Sequence, residues 1–216
     1  PRAGPEAGRE RDHQNRCMDL ATPETLSRPW LAHYPDGVPH DIDPSQYRSL
    51  AALLEESLKK NARRPVSVCM ERWMTYGELD EHSAALGAWL QARGLPADAR
   101  VAVMLPNIPQ FLVAMTAIIR AGFTVVNVNP LYTARELEHQ LRDSGAEAIV
   151  ILENFAATLE EVIEHTPIRH VVVASMGDML GFWYGRWITF AVRHLSKMVK
   201  PYRLALTGAT GPRTIV

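Results

Sequence analysis

The chain has 216 residues, of which 47% are hydrophobic and 22% charged, a composition that supports a sizeable core and excludes a fully disordered chain. Its formal net charge of -1 gives no general attraction to nucleic acid, so we expect no nucleic-acid partner. Its two cysteines, Cys17 and Cys69, cannot build a disulfide framework. Since no window holds the roughly 18 uninterrupted apolar residues of a membrane-spanning helix, we expect a cytoplasmic protein.

The first 48 residues contain little that could form a core. Residues 1–17 have no Ile, Leu, Val or aromatic side chain, and we expect them to be a disordered leader. Because Met18 opens the first segment that contains such side chains, we hypothesise that the natural start is Met18, which N-terminal sequencing of the natural protein tests. Residues 18–48 include many prolines, aspartates and aromatic residues, which favours an extended arm packed on a domain surface.

Residues 49–202 show the alternation of an α/β subdomain. Four leucines between Leu50 and Leu58 share one face of a predicted helix, for which Ser49 is a candidate N-cap. The later strands are unbroken runs of Val, Ile and Ala, which indicates a mostly parallel sheet with helices on both faces. The predicted strands are 66–70, 100–105, 124–128, 148–152 and 170–174. The predicted helices are 49–61, a helix between Gly77 and Gly94, 110–121, 134–144 and 155–165.

A corner is predicted where the strand at 124–128 ends. Pro130 lacks an N–H group and restricts Asn129 to extended geometry, so the strand must stop there. Thr133 and Glu136 have the spacing of a capping box at the start of the next helix. Leu137 on that helix should face inward. The segment is either a corner that closes the sheet or a direct contributor to a ligand site.

Residues 181–200 combine basic and aromatic side chains at helical spacing, and the spacing of Arg186, Arg193, Lys197 and Lys200 predicts that these four share one helical stripe. A basic amphipathic helix with interfacial aromatics can lie in a membrane headgroup layer. The alternative is a helix packed on other protein, with its charges in water. The candidate membrane-contact residues are Trp183, Arg186, Trp187, Arg193, Lys197 and Lys200.

The tail, residues 203–216, differs in composition from the rest of the chain. Leu206–Arg213 has the Gly and Thr content of a phosphate loop, but it lacks a second adjacent Gly and a following Lys-Gly pair. A dinucleotide-type loop must lead into a helix, and the chain ends five residues after Gly211. We therefore interpret residues 203–216 as an atypical tail, one hypothesis being that it is translated out of frame.

Four segments resemble, in order and spacing, the adenylate-forming acyl-CoA ligases, and especially the bacterial long-chain fatty-acid-CoA ligases. The likeness covers about Pro29 to Tyr202 and implies a partial N-terminal domain of the adenylate-forming enzyme fold. The segments are Trp30–Pro39 (WLAHYPDGVP), Met74–Leu79 (MTYGEL), Arg100–Asn107 (RVAVMLPN) and Asn127–Ala146 (NVNPLYTARELEHQLRDSGA).

The resemblance implies that a complete enzyme would use ATP, Mg²⁺ and CoA to activate a fatty acid through an acyl-adenylate. In the family, the phosphate loop, adenine motif and catalytic lysine lie beyond the part matched here. We therefore expect no catalytic, cofactor-binding or metal-binding residue in this chain, and no activity from the chain alone. The first hypothesis is an N-terminal ligase fragment, cytoplasmic or peripheral on the inner face of the cell membrane. The alternative is a non-catalytic α/β module that docks on a membrane or partner through residues 181–200.

Overall fold

The computed structural model describes residues 28–204 and the backbone of residues 207–208, 211–212 and 214–215. The predicted leader, residues 1–17, and the first part of the predicted arm lie outside the described residues. The chain divides into two units, one ending at Gln46 and one beginning at Tyr47. In the described part of the first unit, a 3₁₀ helix spans Pro29–His33, and Arg28 forms an ion pair with Asp41 at 2.7 Å.

The second unit alternates strands and helices, as the sequence predicts. Its described α-helices are α1 (Leu50–Lys60), α2 (Tyr76–Gln91), α3 (Pro109–Arg120), α4 (Ala134–Ser144), α5 (Ala156–Val162) and α6 (Phe182–Phe190). Its main strands are β1 (Pro65–Cys69), β2 (Arg72–Thr75), β3 (Arg100–Met104), β4 (Thr124–Asn127), β5 (Ala148–Leu152) and β6 (His170–Ala174). Three two-residue strands follow, β7 (Thr207–Gly208), β8 (Gly211–Pro212) and β9 (Thr214–Ile215).

The central sheet is parallel and has the order β4-β3-β5-β6-β9. From β3 the chain crosses to β4 on one side and then returns past β3 to β5 on the other. The strand order therefore reverses between β3 and β5. In open α/β sheets, such a switch point creates a crevice beyond the carboxyl ends of the two strands.

Both faces of this sheet are covered, which confirms the predicted fold class. On one face, α4 and α5 pack their buried leucines against alternate residues of β3 and β5, such as Ala102 and Ile149. On the other face, α2 and α3 pack against the intervening residues, such as Val103 and Val150. Because neighbouring residues of each strand point to opposite faces, a strand covered on both must be apolar throughout. Burial on both faces therefore explains the unbroken runs of Val and Ile in these strands.

The main differences from prediction lie outside the sheet. Strand β2 was not predicted; it pairs with β1 in an antiparallel hairpin whose turn places Met70 and Glu71 at positive φ. The α5 helix is shorter than predicted and is flanked by 3₁₀ turns. By contrast, α4, β5 and β6 have the predicted bounds.

The prediction of one helical stripe that joins Arg186, Arg193, Lys197 and Lys200 is wrong. Helix α6 ends at Phe190, a π-helical turn follows at Ala191–Leu195, and Lys197 has a φ of 50°. The backbone therefore leaves helical geometry before Lys197. Lys200 precedes Pro201, whose ring disfavours helical geometry in the residue before it.

Candidate functional site at the carboxyl edge of the sheet

Three polar side chains lie where the switch-point crevice is expected. Gln110 lies in the first turn of α3, shortly after β3, while Glu153 and Asn154 follow β5 directly. Glu153 is only 1% exposed and Gln110 only 8% exposed. Buried polar groups at this edge are the usual starting material of a ligand site in doubly wound folds.

These three side chains bind the segment that follows β6. Gln110 Nε2 donates to the Ser175 carbonyl at 2.8 Å, and Asn154 Nδ2 donates to the Met198 carbonyl at 3.3 Å. Arg193 donates to Glu153 Oε2 through Nε at 2.7 Å and through Nη2 at 2.6 Å. Ser175, Arg193 and Met198 therefore cover these three side chains at the carboxyl edge of the sheet.

The cover leaves one oxygen of each side chain without a partner. Gln110 Oε1, Glu153 Oε1 and Asn154 Oδ1 are all buried and receive no hydrogen bond in the described structure. An unpaired buried acceptor costs about 1–3 kcal/mol. The closed edge is therefore stabilised by its ion pair but destabilised by its unpaired oxygens.

A cavity of about 700 Å³ lies between the loop after β6 and α6. Asp178, Arg186 and His194 contribute charged or titratable side chains to its wall, and Phe182 and Phe190 contribute apolar ones. Burial raises the pKa of Asp178 above its usual range, although the hydrogen bond from the Ser175 N–H at 2.6 Å acts against this shift. The nearby Glu153 carboxylate raises the pKa of Asp178 further. The cavity is thus polar on the loop side and aromatic on the helix side.

The predicted membrane-contact residues differ in their surroundings. Trp183 and Trp187 are exposed, by 81% and 57%, on α6. Arg186 lies among these aromatics, with its guanidinium carbon 5.6 Å from the centre of the Phe182 ring. Arg193 is held by Glu153 instead. Lys197 and Lys200 are exposed beyond the helix end.

The corner between β4 and α4 has the predicted local structure. Thr133 Oγ1 accepts from the Glu136 N–H, and Glu136 accepts from the Thr133 N–H at 2.8 Å, which completes the capping box. This backbone hydrogen bond lowers the pKa of Glu136, and the Thr133 hydroxyl adds to the effect. Asn129 Oδ1 accepts from the Leu131 N–H. The polar side chains of the corner therefore form hydrogen bonds with the backbone of the corner itself.

The tail contains a small hairpin at the candidate phosphate loop. Thr207 pairs with Pro212 and Gly208 with Gly211 in an antiparallel arrangement, while β9 extends the main sheet beside β6. Backbone N–H groups that bind phosphate occur at helix starts and in turns. Residues 207–208, 211–212 and 214–215 are strand, and the residues between them lie outside the described part of the chain.

Sequence reasoning missed the residues that hold the edge together. Glu153 follows an unbroken apolar strand with no intervening turn residue, and this position predicts a buried carboxylate at the carboxyl edge. Its partner Arg193 is 40 residues away, and no periodicity links the two. Across the described residues, no three His, Cys, Asp or Glu side chains converge as a metal site requires, and no helix is long and apolar enough to cross a bilayer.

Comparison with known proteins identifies the class. The model of the AMP-binding enzyme family matches residues 54–184, more than half of the chain, so this protein belongs to that family. A long-chain-fatty-acid–CoA ligase of Escherichia coli O157:H7 is 47% identical over 180 residues, and one of Bacillus subtilis is 33% identical over 155 residues. These matches cover 83% and 72% of this chain. The predicted resemblance is therefore confirmed.

The fold is also found in solved structures. An anthranilate CoA ligase, crystallised in complex with anthranoyl-AMP, superimposes with a TM-score of 0.57 at 21% identity, over 78% of this chain and 31% of that one. The chain spans about a third of the length of the curated relatives it matches, 32% for the Escherichia coli ligase. These matches agree with the ligase-fragment hypothesis. The alternative, a non-catalytic docking module, receives no support from them.

Proposed function

We propose that this chain forms the N-terminal scaffold of a long-chain fatty-acid-CoA ligase. The 47% identity to such ligases over 180 residues carries the proposal. In the complete enzyme, ATP and Mg²⁺ activate a fatty acid and CoA accepts the acyl group. This chain supplies a rigid α/β layer on which the reacting parts are mounted.

Two features of this chain support binding of ATP, Mg²⁺ and CoA outside it. Its Gly- and Thr-rich tail lacks the second adjacent Gly and the following Lys-Gly pair of the family's phosphate loop. The hydroxyl of Thr133 and the carboxylate of Glu136 are engaged in a capping box. We infer that other parts of the complete enzyme hold the nucleotide, and that this chain's own contribution is to hold structure.

A chimera tests this proposal. The matched 180 residues would replace their counterparts in the Escherichia coli ligase, and ATP- and CoA-dependent formation of palmitoyl-CoA would be measured. We expect the chimera to retain activity within about tenfold of the parent, since homologous cores that keep volume and pattern tolerate extensive substitution. The isolated chain should form no palmitoyl-CoA.

The matched control is the same chimera with Ile149→Asp. Ile149 is fully buried in β5, and an unpaired carboxylate there should prevent folding of the sheet and abolish activity. A chimera that has native circular dichroism but no activity would contradict the scaffold role. Palmitoyl-CoA formation by the isolated chain would contradict the placement of the nucleotide site elsewhere.

A second role, contact with the anionic inner face of the cell membrane, is favoured by the exposed side of α6. Its aromatic side chains are exposed to an extent unusual for a soluble protein, from 46% for Phe190 to 81% for Trp183. Arg186 lies among them, and Lys197 and Lys200 follow. Aromatic rings flanked by basic residues are typical of interfacial helices.

The charge distribution points to an anionic surface. The chain has no acidic residue after Asp178. Each basic residue near an anionic bilayer contributes about 1 kcal/mol, so Arg186, Lys197 and Lys200 together would contribute roughly 3 kcal/mol. Arg193 adds nothing to this attraction because the Glu153 carboxylate already neutralises its charge. Such binding is reversible and sensitive to salt.

Vesicle flotation tests this role. One set of vesicles contains phosphatidylcholine alone, and the other also contains about 30% of the anionic lipid phosphatidylglycerol. The triple variant Arg186→Gln, Lys197→Gln, Lys200→Gln should lose most binding to the anionic vesicles. The control variant Lys60→Gln, Arg135→Gln, Arg142→Gln removes the same charge from other exposed positions and should keep it. Equal loss in both variants would reject α6 as the contact surface.

A further inference from the structure

The stretch from Phe182 to Leu195, comprising α6 and its π-helical turn, is attached to the sheet by unusually few contacts. In this fully described stretch, no side chain is buried, and the only buried residue is Gly185. Regions with few buried apolar contacts open at a lower free energy than the core around them. We call this stretch the latch helix.

Two close contacts help to hold the latch helix in place. The first is a close backbone approach, since a Cβ added to Gly177 would overlap the carbonyl oxygen of Gly185, and one added to Gly185 would overlap that of Gly177. The second is Arg193, which binds Glu153 at 2.6 Å and also donates to Ser175 Oγ at 3.3 Å. One ion pair therefore provides the charged contact between the latch helix and the end of β5.

Both ends of the latch helix have backbone geometry suited to a hinge. Gly181, just before it, has a φ of 85°, and Lys197, just after it, has a φ of 50°. Glycine adopts positive φ at no steric cost, whereas a lysine there is strained. Release of the latch helix would relieve the strain at Lys197.

Other features also favour opening. The unpaired Oε1 of Glu153 would gain hydrogen bonds from water once Arg193 moved away. A π-helical turn replaces regular α-helix at Arg193, and such turns occur frequently at functional positions.

We infer that the latch helix is a hinged lid over the carboxyl edge of the sheet, and that the Arg193–Glu153 ion pair is its lock. The lid opens as a unit about Gly181 and Lys197 while the sheet stays folded. Opening uncovers Glu153 at the carboxyl end of β5, the one of the three side chains that the latch helix itself contacts through Arg193. This inference depends neither on the ligase scaffold nor on the lipid contact proposed above.

Native-state hydrogen exchange of the full chain, read by mass spectrometry, tests the lid. Peptides from residues 182–195 should exchange at least about tenfold faster than peptides from β3 and β5. Arg193→Gln should accelerate exchange in the latch helix by roughly a further tenfold and leave β3 and β5 unchanged. Arg193→Lys keeps the charge but loses the paired N–H donors, so its latch helix should exchange at a rate between those of the wild type and Arg193→Gln. This variant replaces Arg193→Gln in the test if the latter does not fold.

Arg142→Gln is the matched control, because it removes an arginine–carboxylate pair, with Glu138 at 3.2 Å, from the surface of α4. It should leave exchange of the latch helix as in the wild type. Equal exchange rates for the latch helix and β5 in the wild type would overturn the lid. A uniform acceleration across the chain in both Arg193 variants would overturn the lock.

Discussion

The sheet layer, from β3 to β6 with its helices, and the latch helix are both rich in apolar residues, yet only the first buries them. In β5 every residue is buried, whereas Trp183, Trp187 and Phe190 on the latch helix are about half exposed or more. The difference lies in what surrounds each segment. Strands β3, β5 and β6 have neighbours on both sides and helices on both faces, while the main close contacts of the latch helix are a glycine contact and one ion pair.

The largest expected effect is on the free energy of unfolding, and it is measured by the same leucine-to-alanine substitution in each of the two regions. Leu141 on α4 is fully buried between the helix and the sheet, whereas Leu195 in the latch helix is 63% exposed. Leu141→Ala should lower the free energy of unfolding by about 2–5 kcal/mol because it removes buried methyl groups and leaves a cavity. Leu195→Ala should change it by less than about 0.5 kcal/mol. Urea unfolding followed by circular dichroism measures both.

A large cost for Leu195→Ala would mean that the latch helix belongs to the cooperative core. The chain would then unfold as a single unit, and the latch helix would be as stable as the sheet layer. Comparable m-values in both variants and the wild type would show that the substitutions change stability rather than the denatured state.

The next effect compares two arginines. Arg120 is 14% exposed and forms ion pairs with Glu55 at 2.6 Å and Asp80 at 2.8 Å, which joins α1, α2 and α3. Arg120→Gln should cost about 2 kcal/mol, less than the 3–5 kcal/mol of a fully buried pair, because the carboxylates retain contact with water. Its effect should be global, whereas Arg193→Gln should act on the latch helix alone.

Thermal unfolding followed by far-ultraviolet circular dichroism measures the global effect, with Arg142→Gln as the control. Arg120→Gln should lower the far-ultraviolet transition, which reports the whole fold, and Arg142→Gln should leave it nearly unchanged, since an exposed pair contributes about 0–1 kcal/mol. If Arg120→Gln loosened only α1, the helix cluster would be a separate folding unit.

The sequence predicted the sheet layer well because its signals are local. Unbroken apolar runs, the capping-box spacing at Thr133 and the glycine at Gly145, which has a φ of 63°, each act within a few residues. The β1–β2 hairpin was missed because its turn uses Met70 and Glu71 at positive φ, where glycine or asparagine would have given a signal.

The candidate site could be predicted only in part, because its contacts join distant residues. The exposed aromatics of α6 were identified from the sequence, but the end of the helix before Lys197 was not. The partnership between Glu153 and Arg193 depends on how the segment after β6 folds back across the edge. No pattern within either segment specifies that return.

A smaller effect concerns helix starts. Helix α4 begins with the Thr133 capping box, while Gly181 before α6 provides no side-chain cap. Thr133→Ala should cost about 1 kcal/mol, whereas Thr133→Ser should keep most of the stability because the hydroxyl remains. Chemical unfolding of the three proteins checks this expectation. Equal losses for Ala and Ser would show that the threonine methyl, and not the cap, stabilises the corner.

The smallest expected effect is a pH dependence within the sheet layer. His170, at the start of β6, is 9% exposed and lies edge-on to the Trp89 ring. Burial lowers its pKa from 6.5, and the positive charges of Arg169 and Arg93 lower it further. The histidine therefore gains a proton more readily in the unfolded chain. Its contribution to stability is fully present above pH 6.5 and is lost as the pH falls through the lower pKa of the folded state.

Urea unfolding at pH 7.5 and at pH 5.5, on either side of the ordinary histidine pKa of about 6.5, measures this loss. His170→Leu should lose less stability between the two conditions than the wild type. His139→Gln changes an exposed histidine on α4 and should follow the wild type. If His170→Leu kept the full pH dependence, other groups would cause the acid sensitivity of the sheet layer. If it removed the dependence, one buried ring would link pH to the layer on which the latch helix rests.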